Sequence, residues 1–385
     1  MTPKERMLAA MEGRKPDCIP VAPYFWGEEY SWKLVGKPVW QLSLGPADSW
    51  KDVIRAVQER HDCDWVIRLG GGSGFLEGKE VEERDGRVLI SDPSTGERWE
   101  YLPDGRRVVE LDEQGWPLSE EARTTGALCE PISSKEEADR WFEERGYVPI
   151  EEGDEVIAPA NRPDWIAENY GDRYFTAAAV GGGFHQLCYS VGLETALIMM
   201  VETPHVAAYM LERFMAGVPR HARELAAAGY DAGFVVDSYA SADIISPRTY
   251  ADWIAPIHRA HAEAIRRAGL KAIFYNTGSV LPLLRTIKTM GFDALSFEER
   301  IKGQEIDIAE VRREVGPEQC LFGNFDSYLL LKGDHAAIRR EVARQVSAAG
   351  GDGAFIMGTG SPICDATDPD VVDFWVAETR RCRMQ

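Results

Sequence analysis

The chemistry available to this chain sits directly after a set of short apolar runs. Asp237 follows Gly233-Phe-Val-Val, so a buried strand delivers a carboxylate to its own C-terminal end. Desolvation there would raise its pKa, and a neighbouring arginine would lower it. Either state would serve proton transfer or hold a cationic group. The same carboxylate would equally cap the turn Ser238-Tyr-Ala-Ser-Ala242. Tyr275 and Asn276 close the run that starts at Leu270, and Glu298 and Glu299 follow the run that ends at Phe297. Asn324 and Asp326 follow Cys320–Gly323 and read first as a turn whose side chains bond local backbone, then as catalytic groups. Trp26, Glu28 and Glu29 follow the first run and Arg68 ends the second. His185, Cys188 and Tyr189 follow the third, with Tyr239 after the fourth and Ser361, Cys364 and Asp365 after the last.

His185, Cys188 and Cys364 have the identities of zinc ligands. Single ligands on separate loops read first as a loop histidine and two unrelated thiols, which behave as small hydrophobes. They count as a metal set only if zinc is bound. Gly181-Gly-Gly183 and Gly70-Gly-Gly72 would let backbone approach an anion but lack the Gly-Lys-Ser/Thr of a P-loop. No Gly-x-Ser-x-Gly and no His-Glu-x-x-His occurs, which argues against a serine hydrolase or a zincin.

These groups need elements to position them. The apolar runs are Ile19–Phe25, Asp64–Leu69, Tyr174–Val180, Ala232–Val236, Leu270–Phe274, Phe292–Phe297, Cys320–Gly323 and Gly353–Met357. Nearly continuous apolar runs mark parallel strands covered on both faces. Long amphipathic stretches separate them. One starts at Ser246-Pro247, an N-cap followed by proline at the first helical position, and stops at Gly269. Eight strand–helix units predict an α/β fold of the (β/α)8 TIM barrel type, with its active site at the C-terminal strand ends. A doubly wound sheet is the competitor, but Tyr24-Phe-Trp-Gly-Glu-Glu-Tyr30 is not its glycine-rich first turn. Residues 78–146 break the rhythm. Asp-Gly pairs within alternating stretches predict an antiparallel β-hairpin insertion between strands two and three. It reads as surface decoration or as a homodimer contact, and otherwise as a lid.

At 385 residues, 44% hydrophobic and 28% charged, the chain has the composition of a soluble globular protein. Its net charge of −20 repels phosphate backbones, so nucleic acid is not an expected partner. Its start, Met1-Thr-Pro-Lys-Glu-Arg6, has no apolar signal region, and no run approaches the ~20 apolar residues of a membrane helix. Seven scattered cysteines without a Cys-x-x-Cys pair predict free thiols in a reducing cytoplasm.

Several segments together resemble the uroporphyrinogen decarboxylase-like superfamily, which includes decarboxylases and cobalamin-linked methyltransferases. They are Met1-Thr-Pro-Lys-Glu-Arg-Met-Leu-Ala-Ala-Met11 with Asp17-Cys-Ile-Pro-Val21, and Val236-Asp-Ser-Tyr-Ala240 with Ile245-Ser-Pro247. Tyr275-Asn-Thr-Gly-Ser279, Phe322-Gly-Asn-Phe-Asp326 and Ser361-Pro-Ile-Cys364 complete the set. The resemblance implies one barrel domain over residues 1–385, with Asp237 as the acidic residue of strand four. Two departures stand out. Uroporphyrinogen decarboxylases carry an arginine-rich segment after strand one, where this chain has Trp26-Gly-Glu-Glu-Tyr30. The methyltransferases hold zinc with His-x-Cys and a later Cys. Here Tyr275, Asn276 and Thr277 stand at the first motif, and only Cys364 matches. Phenol and hydroxyl are not the ligands of a soft zinc site.

The hairpin-bearing insertion resembles the methyltransferase-like branch, some of whose members demethylate methoxylated aromatics. The expected activity is transfer of a methyl group from a small methylated substrate to a corrinoid protein. Trp26, Tyr24, Tyr239 and Tyr275 would line an aromatic pocket. Asp237 or Glu298 would protonate the leaving group while Tyr275 orients it. Glu28, Arg68, His185, Asn276 and Asn324 complete the expected substrate contacts. The alternatives are a cofactor-independent decarboxylase or lyase of a small carboxylated aromatic, anchored by Arg68, and a non-catalytic binding barrel.

Overall fold

The β-branched and aromatic runs form parallel strands buried on both faces, as continuous apolar character requires. In the computed structural model they are β1 (Trp65–Ile67), β6 (Phe175–Ala179), β7 (Ala232–Asp237), β8 (Lys271–Asn276), β9 (Ala294–Phe297), β12 (Cys320–Phe322) and β13 (Phe355–Ile356). The remaining strands are β2 (Glu80–Arg84), β3 (Arg87–Ser91), β4 (Arg98–Leu102), β5 (Arg107–Glu110), β10 (Arg300–Ile301) and β11 (Gln304–Glu305). The structure describes residues 1–25, 28–67, 73–103, 107–112, 115, 131–146, 165–301, 303–351 and 353–382, with backbone only at Glu28, Glu29, Arg107, Arg300, Ile301 and Gln304. The described chain forms two compact units.

The larger unit comprises Met1–Tyr24, His61–Arg68 and Leu128–Gln385. Its seven strands form one parallel sheet in the order β1-β6-β7-β8-β9-β12-β13. Val21 forms a parallel bridge with Met357, just past β13. The Asp64 N–H, just before β1, donates to Val21 O at 2.8 Å. The first apolar run therefore lies between the two edge strands of the sheet, and the unit is TIM-barrel-like.

Aromatic side chains fill its interior. Tyr24 packs against Trp65, Phe234 and Tyr275 with ring centroids 5.6, 5.9 and 4.8 Å apart. Trp65 reaches Phe322 at 5.6 Å. Tyr24 is fully buried and Tyr275 is 4% exposed. This corrects the expectation that both line a substrate pocket. Inward positions of a small barrel are filled by side chains in layers, and these two rings belong to that filling.

A buried charge ties the ends of the chain to the sheet. Asp64, at 0% exposure, accepts from Val21 N–H at 2.9 Å and pairs with Arg6 and Arg380, both at 3.1 Å. Arg6 lies on the first helix (Pro3–Met11) and Arg380 on the last (Pro369–Arg381). A carboxylate withdrawn from water needs this number of donors.

The helix after β7 runs from Pro247 to Arg267, between the Ser246 cap and Gly269 as the sequence predicts, but its hydrogen-bond pattern changes once along the way. Ser246 does cap it, accepting from Thr249 N–H. The helix then passes through a π-helical stretch, Tyr250–Ile254, before continuing as Ala255–Arg267.

The smaller unit comprises Phe25–Arg60 and Leu69–Ala127. It contains an antiparallel sheet in the order β2-β3-β4-β5. Arg84 and Arg87 pair across Asp85-Gly86, both at positive φ as a type I′ hairpin turn requires. Ile90 and Tyr101 from this sheet form a core cluster with Leu44, and Lys79 lies over the rings of Phe75 and Trp99. Arg87 forks onto Glu100 with two bonds of 2.8 Å.

The six described cysteines are unpaired. No single helix among the described residues is long and apolar enough to cross a membrane.

Candidate active site at the strand ends

Parallel pairing in register aligns the strand ends. Asp237 pairs with Asn276, and Asn276 with Phe297, so the polar residues of β7, β8 and β9 arrive at one level. Asp237 is 1% exposed. Its Oδ1 accepts from the Tyr239 and Ala240 N–H groups, both at 3.0 Å, and its Oδ2 lies 3.0 Å from His258 Nε2. His258 Nδ1 lies 3.2 Å from the Tyr250 hydroxyl. Asp237 thus does the turn-capping work that one reading assigned it, with a histidine on its other oxygen.

The capped turn connects its neighbours. Ser238 N–H points at His185 Nδ1 (3.4 Å), and Ser238 O accepts from Thr277 Oγ1 (3.3 Å). Ala240 O accepts from Asn276 Nδ2 at 2.9 Å, while the buried Asn276 Oδ1 has no hydrogen-bond partner among the described residues. Tyr239 is half-buried with its ring 5.2 Å from that of His185. Burial lowers the His185 pKa, so its ring is neutral at physiological pH.

Gly278 shows why a glycine follows the strand-five cluster. Its φ is +84°, and a Cβ there would stand 2.5 Å from Ser241 Oγ and 2.8 Å from Asp243 Oδ1. Its N–H donates to Glu298 Oε2 at 2.7 Å. Burial raises the pKa of both carboxyls that follow β9. That of Glu299 is pushed up to about 7. Ser361 Oγ donates to Glu299 Oε2 at 2.9 Å, and the Tyr275 hydroxyl donates to Gly360 O at 2.8 Å. Asn324 Nδ2 donates to Glu298 O (3.1 Å) and Ile306 O (2.6 Å), while Asp326 caps the helix Ser327–Lys332. Glu299, Asn324 and Asp326 also line a cavity of ≈ 280 Å³ with Lys332 and Arg344.

The expected residues therefore divide. Asp237, His185, Tyr239, Asn276, Glu298 and Asn324 are linked by hydrogen bonds and a ring contact through the loops at five strand ends, while the Tyr275 hydroxyl bonds Gly360 O. Trp26 and Arg68 lie outside the described residues, as does the side chain of Glu28. The structure does not gather the three expected metal ligands. His185 faces Ser238, and Cys188 is buried, which raises its thiol pKa. Cys364 Sγ lies 3.9 Å from Ser327 Oγ. Among the described residues no three His, Cys, Asp or Glu side chains are placed to hold a metal ion. With the Tyr275 hydroxyl committed to Gly360, the end of β8 does not fit a zinc site.

Sequence reasoning missed His258, Tyr250 and the weight of Glu299. His258 and His261 stand three residues apart on the buried face of Ala255–Arg267, a spacing that points two imidazoles at one surface. Both His261 nitrogens are buried, and desolvation takes its pKa down to about 4.

A TIM-barrel-like α/β protein with its ionisable groups gathered past the strand ends is the class that these observations define. Residues 158–382 match the model of the uroporphyrinogen decarboxylase (URO-D) family, and the chain belongs to that family. It is 28% identical over 206 residues to the uroporphyrinogen decarboxylase of Anaeromyxobacter sp., which covers 52% of this chain and 57% of that one. It is 31% identical over 149 residues to that of Nocardia farcinica, covering 38% and 40%. The chain spans about half the length of the curated relatives it matches. Its fold is that of a methyltransferase from Methanosarcina mazei, with a TM-score of 0.65, 19% identity and 99% of each chain covered.

Proposed function

We propose that this chain moves a methyl group from a small methylated substrate, a methoxylated aromatic among them, to a corrinoid carried by a partner protein. The observation that carries this reading is the Glu299 carboxyl, 7% exposed in a cavity wall at the strand ends, where burial favours its protonated form. Asp237, Glu298 and Asp326 stand at the strand ends with His185, Tyr239 and Asn276, and Lys332 and Arg344 line the cavity with Glu299. The shared fold with a methyltransferase supports the same reading.

Breaking a C–O or C–N bond to methyl leaves an electron pair on the oxygen or nitrogen, and a proton delivered there lowers the barrier. The Glu299 pKa, pushed up to about 7 by burial, keeps such a proton available near neutral pH. His185, held by Ser238 through Nδ1, turns its other nitrogen away from the turn as a donor to a substrate heteroatom. The reduced corrinoid is the second substrate and supplies the nucleophile for the methyl carbon.

Incubation with 2-methoxyphenol or a methylated amine and cob(I)alamin tests this. The expected result is loss of the reduced corrinoid's absorbance matched by release of the demethylated product. The carboxy-lyase reading has Lys332 beside Glu299 in its favour. Release of CO2 from carboxylated aromatics with no demethylation would replace the methyl-transfer reading with it. Inertness toward both substrate classes would leave a binding barrel.

A further inference from the structure

Three strand ends meet at one glycine. The Tyr275 hydroxyl at the end of β8 donates to Gly360 O at 2.8 Å. The Glu299 carboxyl, which follows β9, lies against the Cα of Gly360, where a Cβ would collide with Oε2 and with the Glu299 backbone nitrogen. The next residue, Ser361, donates its hydroxyl to the same Oε2 at 2.9 Å. The loop after β13 is thus shaped around one carboxyl and pinned there by a tyrosine.

Glu299 differs from its neighbour in what it is offered. Glu298 is half-buried and accepts a backbone N–H from Gly278, a donor that cannot reverse and so favours the anion. Glu299 is 7% exposed, and its carboxyl accepts from its own backbone N–H and from the Ser361 hydroxyl. The serine O–H donates to a carboxylate or accepts from a carboxylic acid, so this partner serves either protonation state. The carboxyl also forms part of the wall of the ≈ 280 Å³ cavity shared with Asn324, Ile306, Leu329 and Lys332, a volume that suits a small molecule.

We propose that Glu299 is the catalytic proton donor of this chain, and that Tyr275, Gly360 and Ser361 are positioning residues that hold its carboxyl in the cavity wall. The proposal rests on the methyl-transfer reading. With a methyl ether, the methyl C–O bond breaks, the methyl carbon bonds to the reduced corrinoid nucleophile, and the electron pair stays on the aryl oxygen. Glu299 gives its proton to that oxygen and is reprotonated from water. The corrinoid is oxidised by two electrons as it takes the methyl cation equivalent. The raised pKa of Glu299 agrees with a group still protonated near neutral pH.

Isotope-edited infrared spectroscopy of the full chain, with glutamate carboxyls labelled, tests the assignment without turnover. The expected protonated-carboxyl band is lost with a midpoint near 7, is absent in Glu299→Gln, and moves to higher pH in Ser361→Ala, which removes a donor to the anion. With 2-methoxyphenol and cob(I)alamin, Glu299→Gln lowers kcat by about 100-fold or more with little change in KM. The alkaline limb of kcat in Ser361→Ala follows the infrared midpoint, and Tyr275→Phe lowers kcat more than it changes KM. A Glu299 carboxyl ionised throughout about pH 5 to about 9 would overturn the proposal, as would Glu299→Gln with wild-type kcat and pH limb. A titrating band in a protein that demethylates neither probe class sinks the methyl-transfer reading and supports Glu299 as the proton donor for another substrate.

Discussion

Asp237 Oδ2 and His258 Nε2 lie 3.0 Å apart with both side chains 2% exposed, one at the end of β7 and the other on the helix that covers it. The carboxylate takes three donors, two from its own turn and one from the imidazole. It behaves as the anchor of the turn that carries Ser238 and Tyr239.

Removing the imidazole leaves a buried carboxylate short of a donor. His258→Ala is expected to cost on the order of 3 kcal/mol. Tyr250→Phe, which removes a neutral hydroxyl from the far ring nitrogen, should cost about 1 kcal/mol. Urea unfolding of the two variants measures both. Equal, negligible losses would show that the pair does not hold the turn.

Glu299 makes stability depend on pH. Its folded pKa of about 7 exceeds the ordinary 4.5, so the folded chain binds this proton more tightly than the unfolded one. Its contribution is unfavourable above 7, shrinks as pH falls through the folded value, and vanishes below about 4.5. Glu299→Gln should therefore gain stability relative to wild type at pH 8 compared with pH 4.5, by up to about 3 kcal/mol. Denaturant midpoints at the two pH values decide it, and a pH-independent difference would remove Glu299 from the linkage.

Gly278→Ala adds a Cβ at φ +84° that meets Ser241 and Asp243 side chains. The left-handed backbone and the collision together should cost about 2–3 kcal/mol. The change also displaces the N–H that Glu298 accepts. A thermal midpoint unchanged from wild type would mean that the loop relaxes freely.

The Asp64 clamp at the opposite, N-terminal side of the sheet predicts a purely structural phenotype. Asp64→Ala leaves Arg6 and Arg380 without their shared carboxylate and removes the acceptor for Val21 N–H. A loss of roughly 3–5 kcal/mol is expected. In whatever fraction stays folded, the Glu299 infrared midpoint should match wild type. A shifted midpoint would show that the two ends of the sheet are coupled.

Much of the fold was legible in the chain because its signals are local. Apolar runs such as Leu270–Phe274 can only be strands covered on both faces, and Asp85-Gly86 favours the tight hairpin turn found there. The π-helical stretch at Tyr250 was not legible. It depends on the fit of Tyr250 and His258 beneath Asp237, contacts eight and twenty-one residues apart. Tyr24 and Tyr275 misled for a related reason. An aromatic residue at the end of a strand suits a pocket wall or an interior layer equally, and only the packing of Trp65 and Phe234 around them selects the layer.

By itself the sequence determined the strand–helix alternation, the cluster of ionisable residues after the strands, and the exchange of His-x-Cys for Tyr275-Asn-Thr277. Those follow from residue type and from periodicity over a few positions. The tertiary structure decided which carboxyl is free to carry a proton. Glu298 and Glu299 are identical side chains one bond apart along the chain. Alternation along the backbone leaves one half-buried against the Gly278 N–H and buries the other in a cavity wall, where a serine hydroxyl joins its own backbone N–H, and that difference in solvation separates their chemistry.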